Sequence, residues 1–225
     1  MQSHFRQGFL AMLPITIGIF PFGAVMGTVT AEAGLSLWQS TAMNLFVFAG
    51  ASQLAAIDLL GKEAPLLVVL MTGLVINARF FLYSAAFAPW VVHEKLPTKI
   101  FSSFFLTDQS FAAMSSHEQK FRGSHEAIQF YLGACLCMFF AWHGSVILGF
   151  VFGNVAPTSL NLEFAIPLSF ISLLVPTLKN KKYVLVSLLS AILGILFHTL
   201  PLKLGLLVSA LLSLLFVFFF LRRKT

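Results

Sequence analysis

Long apolar runs fill this chain, and its polar residues gather in the short stretches between them. The runs lie at roughly 9–31, 38–60, 65–90, 100–115, 128–152, 163–178, 183–200 and 203–221. About 20 apolar residues, rising 1.5 Å each, cross the roughly 30 Å hydrocarbon layer of a membrane, so each run is read as a helical span. The fourth and sixth are short for a full crossing and are expected to be tilted or broken. Pro14, Pro21, Pro167 and Pro176 fall inside apolar runs and predict kinks. Arg6 before the first run and Ala31-Glu32-Ala33 after it have the outline of a cleaved leader. The run is too long for that and contains two prolines, so it is read as a retained span. The pattern predicts an all-α polytopic transmembrane bundle of about eight spans, seven being the alternative. Some spans are kinked or broken, and residues 1–225 form one membrane domain.

Composition narrows the class. The chain is 58% hydrophobic with 26 Phe and only 10% charged, where a soluble domain carries about 25% charge. That excludes a soluble enzyme, a nucleic-acid module and a disordered chain. The net charge of +6 is therefore read as orientation rather than as a nucleic-acid footprint. With the N-terminus inside, the inner segments hold Arg6, Lys62, Lys120, Arg122, Lys179, Lys181, Lys182, Arg222, Arg223 and Lys224, and the outer ones only Lys95, Lys99 and Lys203. This bias fits the rule that positive charge stays inside, with both termini cytoplasmic, whereas seven spans would scatter the charges. Trp38 and Trp90 then fall at the outer boundary as belt residues. Cys135 and Cys137 point to different faces of a helix and are read as small core residues.

Polar groups in hydrocarbon are costly, so each needs a partner or a cavity. Phe48-Ala49-Gly50-Ala51-Ser52-Gln53 in the second run permits a helix break near Gly50–Gln53 whose freed backbone groups bind a ligand; ordinary small-residue packing is the alternative. Asn77-Ala78-Arg79 in the third run, with Tyr83 one turn on, places an arginine at mid-depth, at a cost of at least about 2.5–3.5 kcal/mol. Thr107-Asp108-Gln109 in the fourth run holds the one deep acid. Antiparallel placement brings Asp108 to within roughly 4–5 Å of the depth of Arg79. A proton site and a static Arg79–Asp108 bridge are both open readings.

Other polar residues carry less. Asp58 and Lys62 fit an interfacial i,i+4 pair, and Glu32 sits at a span end where an acid is cheap. Ser116-His117-Glu118 and Ser124-His125-Glu126 repeat each other but do not form H-E-x-x-H and are read as a solvated loop. His143 and His198 are read as helix-contact histidines, with proton relay as the alternative. No nucleophile–base constellation or metal motif is visible, so neither an enzyme nor a cofactor is expected.

Five patches together resemble the AzlC family: FLAMLPITIGIFPF at 9–22, FVFAGASQLAA at 46–56, NARFFLY at 77–83, TDQ at 107–109 and FISLLVPTLK at 170–179. Their order and spacing match to about residue 200. The resemblance implies the large subunit of a bacterial branched-chain amino acid exporter. It further implies a small AzlD-type membrane partner, proton-driven export and residence in the inner membrane. The residues suit such a ligand. Arg79, or N–H groups freed at Gly50, Ala51, Ser52 and Gln53, would take the carboxylate. Asp108, Gln53 and Asn77 would meet the ammonium, with Tyr83 in the site and the phenylalanines lining it. Asp108 would couple protons, supported by Thr107 and Gln109. The rival readings are a channel or a scaffold subunit without an amino-acid site of its own.

Overall fold

The computed structural model describes residues 3–117, 126–152, 171, 174–175, 178, 181–200 and 204–221. Every regular element among them is a helix. In chain order these are α1 (His4–Glu32), α2 (Leu37–Val47), α3 (Gly50–Gly61), α4 (Leu66–Asn77), α5 (Arg79–Val91), α6 (Leu96–Phe104), α7 (Asp108–Ser115), α8 (Glu126–Phe152), α9 (Lys181–Leu196) and α10 (Leu204–Phe216), which runs on into a π-helical turn at Val217–Leu221.

Three stretches are long and apolar enough to cross a membrane: His4–Glu32, Leu66–Val91 and Glu126–Phe152. The second and fourth apolar runs are each divided into two helices, α2/α3 and α6/α7, and the third is divided at Ala78 into α4 and α5. The seventh and eighth runs contain α9 and α10. The sixth run lies almost wholly outside the described residues, as do Pro167, Pro176, His125 and Glu118. α1 passes through Pro14 and Pro21 as one continuous helix.

The chain divides into two compact units, residues 1–50 with 80–173 and residues 51–79 with 174–225. The first is organised by α1 and α8, which pack along their length. Glycines make that approach possible. A Cβ on Gly8 would strike the Phe130 carbonyl, and one on Gly133 the Phe5 carbonyl. Further along, Gly27 meets the Val146 carbonyl and Gly149 that of Ala24. Lipid tails are as apolar as leucine, so helices in a membrane associate through close packing of this kind, not through hydrophobic exclusion. Thr28 Oγ1 adds a hydrogen bond to the Gly149 carbonyl at 3.2 Å, and Thr30 Oγ1 lies 2.7 Å from Ser40 Oγ on α2.

Against this pair sits a core of Phe87, Trp90, Leu106, Met114, Phe130, Tyr131 and Cys135. Trp90 belongs to this core. It is only 8% exposed and packs against Phe87 and Phe111 at ring separations of 5.6 and 6.3 Å. Trp38, by contrast, is 77% exposed. Both cysteines are buried and free, as read. In the second unit α10 packs against α9 and α4, and Lys62 pairs with Asp58 at 2.8 Å as the i,i+4 spacing predicts.

Candidate functional site

Each of the three helix interruptions is restarted by a polar segment. α3 begins with Gly50-Ala51-Ser52-Gln53, α5 with Arg79 after Asn77-Ala78, and α7 with Asp108-Gln109 after Thr107. An interrupted helix orphans backbone N–H and C=O groups. In a membrane those groups must find partners inside the protein or line a cavity.

The first interruption falls at Phe48–Ala49, two residues before the expected Gly50–Gln53 segment, which forms the opening turn of α3. Phe48 itself supplies the turn, in the left-handed region at φ 44°, ψ 39°, with its N–H bonded to the Asn44 carbonyl at 3.1 Å. A bulky side chain rarely adopts that conformation, which costs roughly 1–2 kcal/mol. Its surroundings hold it there: the buried ring lies among Phe104, Phe105, Phe139 and His143 at centroid distances of 5.5–6.3 Å. Gly50 is needed for another reason. A Cβ there would collide with the Trp142 ring and press on Phe22. The Trp142 indole is fixed by its N–H to Asn44 Oδ1 at 3.0 Å and by an edge-on contact with Phe22 at 5.2 Å.

The third interruption is satisfied from α8. At the end of α6 the Ser102 carbonyl accepts the Phe105 N–H at 3.2 Å, and the Phe105 carbonyl lies just beyond the helix. The Ser102 carbonyl also accepts Tyr131 O–H at 3.0 Å. The Phe105 carbonyl accepts Ser110 O–H at 2.8 Å and Cys135 S–H at 3.7 Å. Thr107 caps α7: its hydroxyl accepts from Ser110 N at 3.2 Å, while its own N–H donates to Ser110 Oγ at 2.8 Å. Asp108 follows in the first turn, half-buried, where a helix N-terminus favours negative charge. Tyr83, from α5, donates to Asp108 Oδ1 at 2.7 Å, and its ring stacks on Phe111 at 4.9 Å. Gln109 is buried beside them in sequence.

In the second unit Asn77 Nδ2 donates to Ser52 Oγ at 3.1 Å, and Ser52 and Gln53 are both buried. Asn77 Oδ1 and Thr72 Oγ1 are buried and hydrogen-bonded to nothing among the described residues. The expected site residues therefore gather as two groups, Tyr83 with Thr107, Asp108 and Gln109 in the first unit and Ser52 with Asn77 in the second. Arg79 is the residue at which the second unit's segment 51–79 ends, whereas Asp108 belongs to the first unit.

Sequence reading missed Asn44, Trp142, Ser110, Tyr131 and Cys135 as residues that shape the interruptions, and it did not give Phe48 the turn itself. Asn44 carried a usable signal, a primary amide in an apolar run. The close approach of α1 was also signalled, by Gly23 and Gly27 in the G-x-x-x-G spacing of membrane helix contacts.

The segment that holds all three interruptions matches a family model: residues 14–156 match that of the AzlC protein. The chain belongs to the AzlC family. Its similarity extends further than that segment. It is 30% identical over 217 residues to an uncharacterized membrane protein of Archaeoglobus fulgidus, covering 93% of this chain and 92% of the relative. An uncharacterized membrane protein of Helicobacter pylori J99 is 28% identical over 179 residues, 78% of this chain and 76% of the relative. The inner membrane protein YgaZ of Escherichia coli K12 is 23% identical over 209 residues, 89% of this chain and 84% of the relative. No solved structure matches. An AzlC-family chain of this architecture is a membrane protein with a transport-related role.

Proposed function

We propose that this AzlC chain is the large subunit of a secondary transporter that exports branched-chain amino acids from the cytoplasm of a bacterium, driven by protons. It works with a small AzlD-type membrane subunit in the inner membrane, with both termini cytoplasmic. The observation that carries the reading is the set of three interrupted helices, each restarted by polar residues, since broken membrane helices are the usual way of presenting backbone dipoles to a zwitterion and its coupling ion. Gly50, Ala51, Ser52, Gln53, Asn77, Arg79 and Tyr83 are the proposed ligand contacts. Asp108 is the proton site, with Thr107 and Gln109 in support. Apolar pockets separate ligands by only about 1–3 kcal/mol per methylene, so broad aliphatic selectivity follows.

Export of labelled leucine, isoleucine and valine from proteoliposomes, with and without the small subunit and a pH gradient, tests the reading. Gradient-driven movement of these three amino acids that needs both subunits supports it. Leucine flux that ignores the gradient favours a channel, and no flux in any combination favours a scaffold.

A further inference from the structure

Two non-glycine residues have positive φ among those described, Glu63 at 54° and Phe48 at 44°. Glu63 lies exposed in the turn between α3 and α4. Phe48 is 6% exposed, and a buried bulky residue in that region is an outlier of the kind found in switch segments. Its ring faces the end of α6. It stacks on Phe104 at 6.1 Å with planes 17° apart and meets Phe105 edge-on at 6.3 Å. Phe104 is the last residue of α6 and Phe105 its cap, so both belong to the α6–α7 interruption. From Phe105 the contacts run on to the proposed proton site. The Phe105 carbonyl accepts Ser110 O–H at 2.8 Å. Ser110 Oγ accepts Thr107 N–H at 2.8 Å, and Thr107 Oγ1 accepts Ser110 N–H at 3.2 Å. Asp108 lies in the chain between the two residues of that reciprocal cap. In the other direction Phe48 is followed by Ala49 and then by Gly50, the first residue of α3 and of the proposed ligand segment. One side chain thus connects the first interruption to the third.

We propose that Phe48 is the positioning residue that couples ligand to proton: its ring is seated on Phe104 and Phe105 while its backbone is left-handed, so the state of the α2–α3 turn is transmitted to the turn that carries Asp108. Relaxing φ from 44° to the right-handed value is a rotation of roughly 100° about the N–Cα bond, which redirects Cα–Cβ and takes the ring off both neighbours. The strained turn and the seated ring are therefore one two-state element, the physical requirement for coupling through a packed interior. Joining α2 and α3 into one helix unseats the ring and releases Phe105. A displaced Phe105 in turn leaves the strained turn without its packing, the reciprocal effect that linkage demands. What is coupled, leucine to proton, rests on the exporter reading. That the two interruptions are coupled does not.

Two measurements on the full chain test this. The first is a double-mutant cycle of Phe48→Leu and Ser110→Ala in thermal unfolding of the detergent-solubilised protein. Unlinked substitutions shift the midpoint additively. Here the Ser110→Ala shift should be clearly smaller in the Phe48→Leu background, and additive shifts overturn the proposal. If Phe48→Leu does not fold, Phe48→Met takes its place, since a flexible unbranched chain fills the gap more readily. The second is transport in proteoliposomes that hold both subunits. Phe48→Leu should exchange labelled leucine across the membrane at the unaltered rate. It should accumulate leucine against the pH gradient about tenfold less, within the range of coupling between sites. Phe46→Leu, two residues earlier and with its ring 78% exposed, should change neither quantity. Exchange and accumulation that fall together, or accumulation that persists in Phe48→Leu, overturn the proposal. If the unaltered protein moves no leucine, the exporter reading fails, and the double-mutant cycle alone decides the coupling.

Discussion

Tyr83 reaches from α5 to the first turn of α7 and gives its hydroxyl hydrogen to Asp108 Oδ1 at 2.7 Å. The phenol is itself held flat against Phe111, with ring planes 14° apart, so the bond is between positioned groups. Tyr83→Phe keeps that stacking and deletes only the donor. Hydrogen bonds to charged groups contribute about 1.5–3 kcal/mol, and a loss of that order is expected in thermal unfolding of the detergent-solubilised protein. Asp108→Asn retains an oxygen that Tyr83 can address. It should fold and bind leucine but no longer accumulate it against a gradient. Unimpaired gradient-driven export by this variant would remove Asp108 from the coupling role.

The backbone of Phe48 predicts an inverted ranking of substitutions. In a right-handed helix, glycine is worse than alanine by roughly 1 kcal/mol. At φ 44° the order reverses, because alanine keeps the left-handed strain and glycine has none. Both substitutions remove a ring packed among four aromatic neighbours, at about 3–5 kcal/mol. Phe48→Gly should therefore unfold later than Phe48→Ala, by about 1 kcal/mol. Equal or opposite ranking would mean that the turn relaxes once the ring is gone.

The α1–α8 seam distinguishes two glycines of one helix. Gly133→Ala drives a methyl into the Phe5 carbonyl, whereas nothing lies within 4 Å of the Cβ position at Gly144. Backbone cannot yield as a side-chain tip can, so Gly133→Ala should cost about 1–3 kcal/mol or more. Gly144→Ala should stabilise the helix by about 0.5–1 kcal/mol. Opposite signs in the unfolding midpoint are the measurement.

How much of this was readable in the residues depends on the range of the interaction. Apolar runs and their polar interruptions are local, so the helical membrane class and breaks in the second and fourth runs could be read directly. Asp58 with Lys62 is likewise local. That Phe48 itself makes the first break was not, because the left-handed residue is a phenylalanine stabilised by rings from α6 and α8, whereas glycine is the usual local signal. The sequence drew attention to Gly50 for its flexibility, yet its role is to make room for Trp142, a contact made 92 positions away. The donors that close the α6–α7 break were invisible for the same reason. Tyr131 and Cys135 reach carbonyls 29 and 30 positions away, and no short-range pattern marks such partners.

Asn77 provides the most discriminating test of the proposed ligand site. Its Nδ2 is spent on Ser52 Oγ, while its Oδ1 is buried without a partner among the described residues. A stranded acceptor costs about 1–3 kcal/mol, which exceeds the 0.5–1.5 kcal/mol of an ordinary neutral hydrogen bond. Asn77→Ala removes both, and the two effects offset, so its stability should be unchanged or slightly raised. Ser52→Ala removes the acceptor and leaves the Asn77 amide with a second stranded group, which should lower stability by about 1 kcal/mol. If Oδ1 is kept open for the ammonium of the amino acid, Asn77→Ala loses leucine transport despite its intact fold, the usual sign that a site has been held at a cost to stability. A purely structural Asn77 predicts the opposite pair of results, with Asn77→Ala the less stable variant and transport by the folded fraction retained. Unfolding midpoints and initial export rates on the same two preparations separate them.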